Sequence, residues 1–126
     1  MKYMLIMQAT AKDATIEHWP HEAIVAHVEF MKDLNENYFQ PGEFLDAQGL
    51  APPSEVRVIR ADDDGDPIVT DGPFSESKEF LAGWWLLESD EARAHEIAAH
   101  ISAAPGPDGK PMNFSILLHP VGVAPA

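Results

Sequence analysis

The chain contains no cysteine. Disulfides, thiolate nucleophiles and Cys-bound zinc are thereby excluded. Cations are scarce too: eight Lys and Arg stand against 21 Asp and Glu, for a formal charge of -13. Phosphate backbones and anionic lipid surfaces need clustered cations, so this balance argues against nucleic-acid and membrane partners. It also repels anionic substrates unless a local base compensates, which draws attention to Arg57 and Lys78. No apolar run approaches the length needed to span a bilayer. The apolar start, Met1 to Met7, is too short for a signal h-region and lacks a cleavage pattern. A cytoplasmic protein is expected.

What is present suits one soluble globular domain. A chain of 126 residues, 45% of them hydrophobic, is long enough to bury one core and too short for two. We expect a single domain over residues 1–120 and a loose tail over 121–126. Residues 2–9 read as a strand buried on both faces. Pro20 suits the first position of a helix carrying the stripe Ile24, Val28, Met31, Leu34 and Tyr38, and Pro41-Gly42 ends it. Short strands follow at 43–50, 56–60 and 67–70, with the Asp-Gly tip of a hairpin at 62–66. Residues 81–88 form a Trp- and Leu-rich strand. Ser89 or Asp90 caps a second helix with the stripe Ala94, Ile97, Ala98 and Ile101, and 114–118 is the last strand.

The order β-α-β-(β-hairpin)-α-β predicts a ferredoxin-like α+β fold, with two helices on one face of an antiparallel sheet. Strands 2–9, 81–87 and 114–118 are apolar in both alternations, yet the helices cover only one face. The other face would be a large exposed apolar patch, and a second copy packed sheet to sheet is the simplest cover. A homodimer is therefore expected.

Six histidines raise the question of a metal. His21-Glu22 begins like a metalloprotease pattern, but Val25 stands where the second His is needed. His95 and His100 lie about 140° apart around a helix and cannot share an ion. The acidic run 62–66 lacks calcium-loop spacing. No metal is expected. His27 differs, because it falls on the inward stripe of the first helix. It is either a core histidine bonded to a backbone carbonyl or an acid/base group facing a cavity. Trp84 and Trp85 point to opposite faces of their strand, one into the core and the other toward a dimer or pocket. Lys78 and Glu79 diverge and need separate partners; Lys78 could neutralise Asp71 across the intervening bend or meet an anionic ligand.

That bend, Asp71-Gly72-Pro73-Phe74, followed by Lys78-Glu79 and Gly83, resembles the signature of the YCII-related family in its DGPF-domain branch. The resemblance extends to Lys2-Tyr3-Met4-Leu5, His27 to Leu34, Gly42 to Leu50, Ala103 to Pro107 and the closing strand. It implies a ferredoxin-like fold and a dimeric α+β barrel; no cofactor is expected. It further implies that His27 on the first helix pairs with an Asp as an acid/base dyad, with Asp46 and Asp71 as candidates. On that basis Lys78 would steady an anionic oxygen, and Met4, Phe74, Glu79 and one of Trp84 or Trp85 would line the ligand site. Elimination or isomerisation of a small organic molecule would suit such a site. The alternative is a non-catalytic small-molecule-binding or regulatory dimer, since DGPF-branch proteins resemble partners encoded near extracytoplasmic-function sigma factors.

Overall fold

Adjacent antiparallel strands flanked by helices organise the chain as seen in a computed structural model, which describes residues 1–10, 16–51, 53–71 and 79–122. Strands β1 (Lys2–Thr10), β2 (Phe44–Gly49), β5 (Glu79–Glu88) and β6 (Ile116–Pro120) form one sheet in the order β2-β5-β1-β6, antiparallel throughout. Strands β3 (Arg57–Ala61) and β4 (Pro67–Asp71) form a separate two-stranded sheet. Helix α1 (His21–Asp33) links β1 to β2, and α2 (Glu91–Ser102) links β5 to β6. Each crossover joins parallel strands with one strand between them, so two split βαβ units interlock. This is the ferredoxin-like α+β fold. No helix among the described residues is long and apolar enough to cross a membrane.

The helices bury one face of the sheet. Leu5, Trp85 and Leu87 meet Leu34, Ile97 and Ile101 in the core, with Ala47, Ile116 and Leu118 packed around them. Helix α2 follows its expected stripe, with Ala94, Ile97 and Ile101 fully buried. Its cap is Asp90, whose carboxylate accepts from the Arg93 backbone N–H at 2.7 Å. Helix α1 departs from expectation: Ala23 and Leu34 are buried, whereas Val28 is 54% exposed. The inward row is therefore Ala23, His27, Met31 and Leu34, rotated by one position from the apolar stripe. Ala23 lets α1 approach closely where a larger side chain could not. The helix also runs on, as a π-helical turn over Leu34–Tyr38. Asn35 in that turn accepts from the Trp85 indole N–H at 3.0 Å, which satisfies the polar edge of a buried ring.

Polar and aromatic contacts fasten α2 to the rest. His100 stacks on Tyr38 at 4.0 Å and on Phe30 at 5.1 Å. Arg93 donates to both oxygens of buried Glu43 at 2.8 and 3.1 Å and lies over the Tyr38 ring. The Arg93 guanidinium holds the Glu43 carboxyl below the usual carboxylate range. The last strand starts at Ile116, two residues later than expected; Phe114 precedes it with its carbonyl bonded to the Ser102 hydroxyl.

Candidate functional site

Helix α1 begins where Pro20 fixes the backbone, its carbonyl accepting from the Ala23 and Ile24 N–H groups. Helical spacing then turns His27 inward, and it is half-buried. Its Nδ1 lies 2.9 Å from the carbonyl oxygen of Pro105. A carbonyl only accepts, so Nδ1 carries hydrogen, and in the neutral ring the lone pair sits on Nε2. Trp19, two turns before His27, meets the imidazole edge-on at 5.4 Å and 85°. The tautomer and the ring plane are thus both set by fixed neighbours.

The Pro105 carbonyl is itself held by a tight loop after α2. Met112 N–H bonds to the Ala104 carbonyl, Gly106 N–H to that of Lys110, and Pro105 bridges to Pro111. Gly106 sits close to Met112 there: a Cβ would stand 2.7 Å from the Met112 Cγ, so that side chain would have to shift. Beside this loop opens a cleft of about 750 Å³, lined by Gln8, Pro20, Gly106, Lys110, Asn113 and Phe114 among others. Its size suits a small organic ligand, and its wall mixes apolar rings with amides, a hydroxyl and the opposite charges of Asp108 and Lys110. His27 is not among the lining residues; its ring is bonded to the Pro105 carbonyl, and Pro105 adjoins Gly106 of the wall.

The remaining candidates are scattered. Asp46 pairs with Leu86 and lies on the sheet face away from the helices, since its neighbour Ala47 packs on the core. The sheet therefore separates Asp46 from His27, and its carboxylate accepts from the Ala47 N–H at 2.8 Å. Asp71, at the end of β4, pairs with Arg57 at 3.3 Å and is well exposed. Phe74 and Lys78 fall outside the described residues, as does the side chain of Glu79. Trp85 fills the core; Trp84 and Met4 share the face that carries Asp46. Among the described residues no three His, Asp or Glu side chains gather as a metal site requires. The acidic tip at 62–66 is a built turn, with Asp62 accepting the N–H groups of Asp64 and Asp66 at 2.9 Å.

Trp19, the Pro105 carbonyl and Gly106 are the neighbours that sequence reasoning passed over. Trp19 had no signal from spacing, because it precedes the helix and reaches the His27 ring only through the bend before Pro20. The carbonyl had none either, since it comes from a loop 78 residues away.

Compared with known protein families, residues 1–106 match the YCII-related domain. That span takes in both helices and includes His27 together with its Pro105 partner. No curated protein matches the chain.

Proposed function

The chain belongs to the YCII-related family, and from that premise we propose a homodimer that binds a small organic molecule in the cleft beside residues 106–115, with the reacting part of the ligand extending past Gly106 to His27, which acts on it. His27 is the general base, working without a cofactor, in a proton-transfer reaction such as an elimination or isomerisation. The observation that carries this reading is the 2.9 Å contact between His27 Nδ1 and the Pro105 carbonyl. It leaves the Nε2 lone pair as the proton acceptor and does the orienting that a carboxylate does in other acid/base pairs. The DGPF branch is the finer assignment, resting on Asp71-Gly72-Pro73-Phe74 in the sequence.

The same contact supports a second reading, a non-catalytic small-molecule-binding dimer in which His27 is a packing residue satisfied by a backbone oxygen and by Trp19. One experiment separates the two. The labelled protein is titrated with small carboxylates and aromatic carbonyl compounds in D2O, following amide shifts and exchange of carbon-bound hydrogen on the ligand. Acid/base chemistry predicts shifts at Gln8 and Asn113 with exchange that falls about 10²-fold or more in His27→Gln. Binding without exchange in the wild type selects the second reading, and no shift along the cleft removes both.

A further inference from the structure

The cleft beside residues 106–115 lies where the sheet comes apart. Strand β1 pairs with β5 as far as Thr10–Glu79, but its ladder with β6 ends at Met7–Ile116. The next pairs in that register are Gln8 with Ser115 and Ala9 with Phe114, and all four residues line the cleft. Val121 N–H bonds to the Lys2 carbonyl at 3.0 Å. Backbone groups alternate along a strand, so the even-numbered residues of β1 face β6, and Gln8 is the next of them beyond Ile6. The Gln8 backbone is therefore turned toward the cleft. Other contacts hold the departing segment away from β1. Asn113 has φ 52°, the one positive value outside glycine among the described residues, and that bend breaks extended geometry. Met112 N–H bonds to the Ala104 carbonyl at 2.9 Å and Ser102 donates to the Phe114 carbonyl at 2.6 Å, which fastens the segment to the end of α2.

We propose that this cleft takes a short extended peptide, whose backbone pairs with the open edge of β1 from Gln8 onward. The inference rests on the ligand cleft proposed above and names its class of ligand. An unpaired strand edge offers N–H and C=O groups at fixed spacing, and an extended amide backbone is their complement. Two residues of strand span about 7 Å, and a cleft of about 750 Å³ has room for a di- or tripeptide with its side chains. The wall also carries Asp108 and Lys110, and Asp108 is fixed in place by accepting the Lys110 N–H at 2.9 Å. Opposite charges on one loop suit the ammonium and carboxylate of a free peptide. A simple anion would instead meet the Asp108 carboxylate and a chain of charge -13. Asn113 is a positioning residue: its left-handed backbone keeps 113–115 from closing onto β1, and Asn tolerates that conformation where a β-branched residue does not.

The test is an NMR titration of the labelled full chain with trialanine, with trialanine methylated at both amide nitrogens, and with benzoate. Trialanine is expected to shift the amides of Gln8, Ala9 and Ser115, and the methylated peptide to bind about tenfold or more weakly. Asn113→Val, checked for folding by far-UV circular dichroism, lets 113–115 straighten onto β1 and is expected to weaken trialanine binding about tenfold. Asn113→Gly keeps the bend and is expected to stay within about threefold of wild type. Equal affinity for the methylated peptide, a comparison that needs no variant, overturns the strand pairing. Wild-type affinity in a folded Asn113→Val overturns the role of the bend. Shifts along the cleft with benzoate but none with trialanine overturn the peptide while the cleft of the proposed function stands. No shift with any of the three overturns both.

Discussion

Two charged or titratable side chains, His27 and Glu43, are each positioned by a partner far away in sequence, but with different consequences. Glu43 is buried against Arg93, and the guanidinium lowers its carboxyl titration by hydrogen bonding outweighing desolvation. A carboxyl lowered in the folded state contributes stability that is fully present above its unfolded value, and is lost as pH falls through the folded one. The margin of wild type over Glu43→Gln in thermal denaturation should therefore hold from neutrality down to the ordinary glutamate range, about pH 4.3, and shrink as pH falls below it. Arg93→Ala strands the carboxylate and should cost about 3 kcal/mol at neutral pH by urea denaturation, the low end for breaking a buried pair. His27 faces a carbonyl instead of a charge, so its neighbour selects a tautomer.

At the scale of elements, the β3–β4 hairpin stands apart. Strands β2 and β5 are adjacent and antiparallel, with Gly49 opposite Gly83, so a short turn would suffice to join them. The chain inserts a whole two-stranded sheet instead, with Ile59 and Val69 paired and exposed at 64% and 56%. Isolated hairpins are marginal in water, and this one adds nothing to the four-stranded ladder. Replacing residues 56–71 with a short Gly-Ser linker should leave far-UV circular dichroism of the main sheet and cooperative unfolding intact; loss of the folded state would show that the hairpin supports the core. Alternation and turn chemistry made these elements legible in advance, as Val56-Arg57-Val58-Ile59-Arg60 and the Asp-Gly tip illustrate. Helix α1 was legible in extent and misread in orientation. Val28 continues the apolar stripe but points outward, because close approach to the sheet selects the small Ala23 for the inside.

For the whole molecule, the uncovered sheet face sets the expectation. Met4, Ile6, Trp84, Leu86 and Leu117 share it, and a patch of that kind calls for a partner. Leu117→Asp adds a charge to the apolar centre of that face while leaving the helix-side core untouched. It should convert the proposed dimer to monomer at micromolar concentration by light scattering, with thermal stability of the folded chain little changed; a dimer that persists would move the interface elsewhere.

The sequence alone determined the order of elements, the ferredoxin-like class, the family and the interest of His27, because periodicity, turn residues and local motifs act over neighbouring positions. Tertiary structure decided what those residues meet. It separated Asp46 from His27 by the thickness of a sheet, since strand alternation assigns Asp46 to the open face. It brought the Pro105 carbonyl to the imidazole through a loop folded against Gly106. A backbone oxygen has no side-chain identity to read and is brought to the ring only by the fold, so this partner was invisible until the chain was folded.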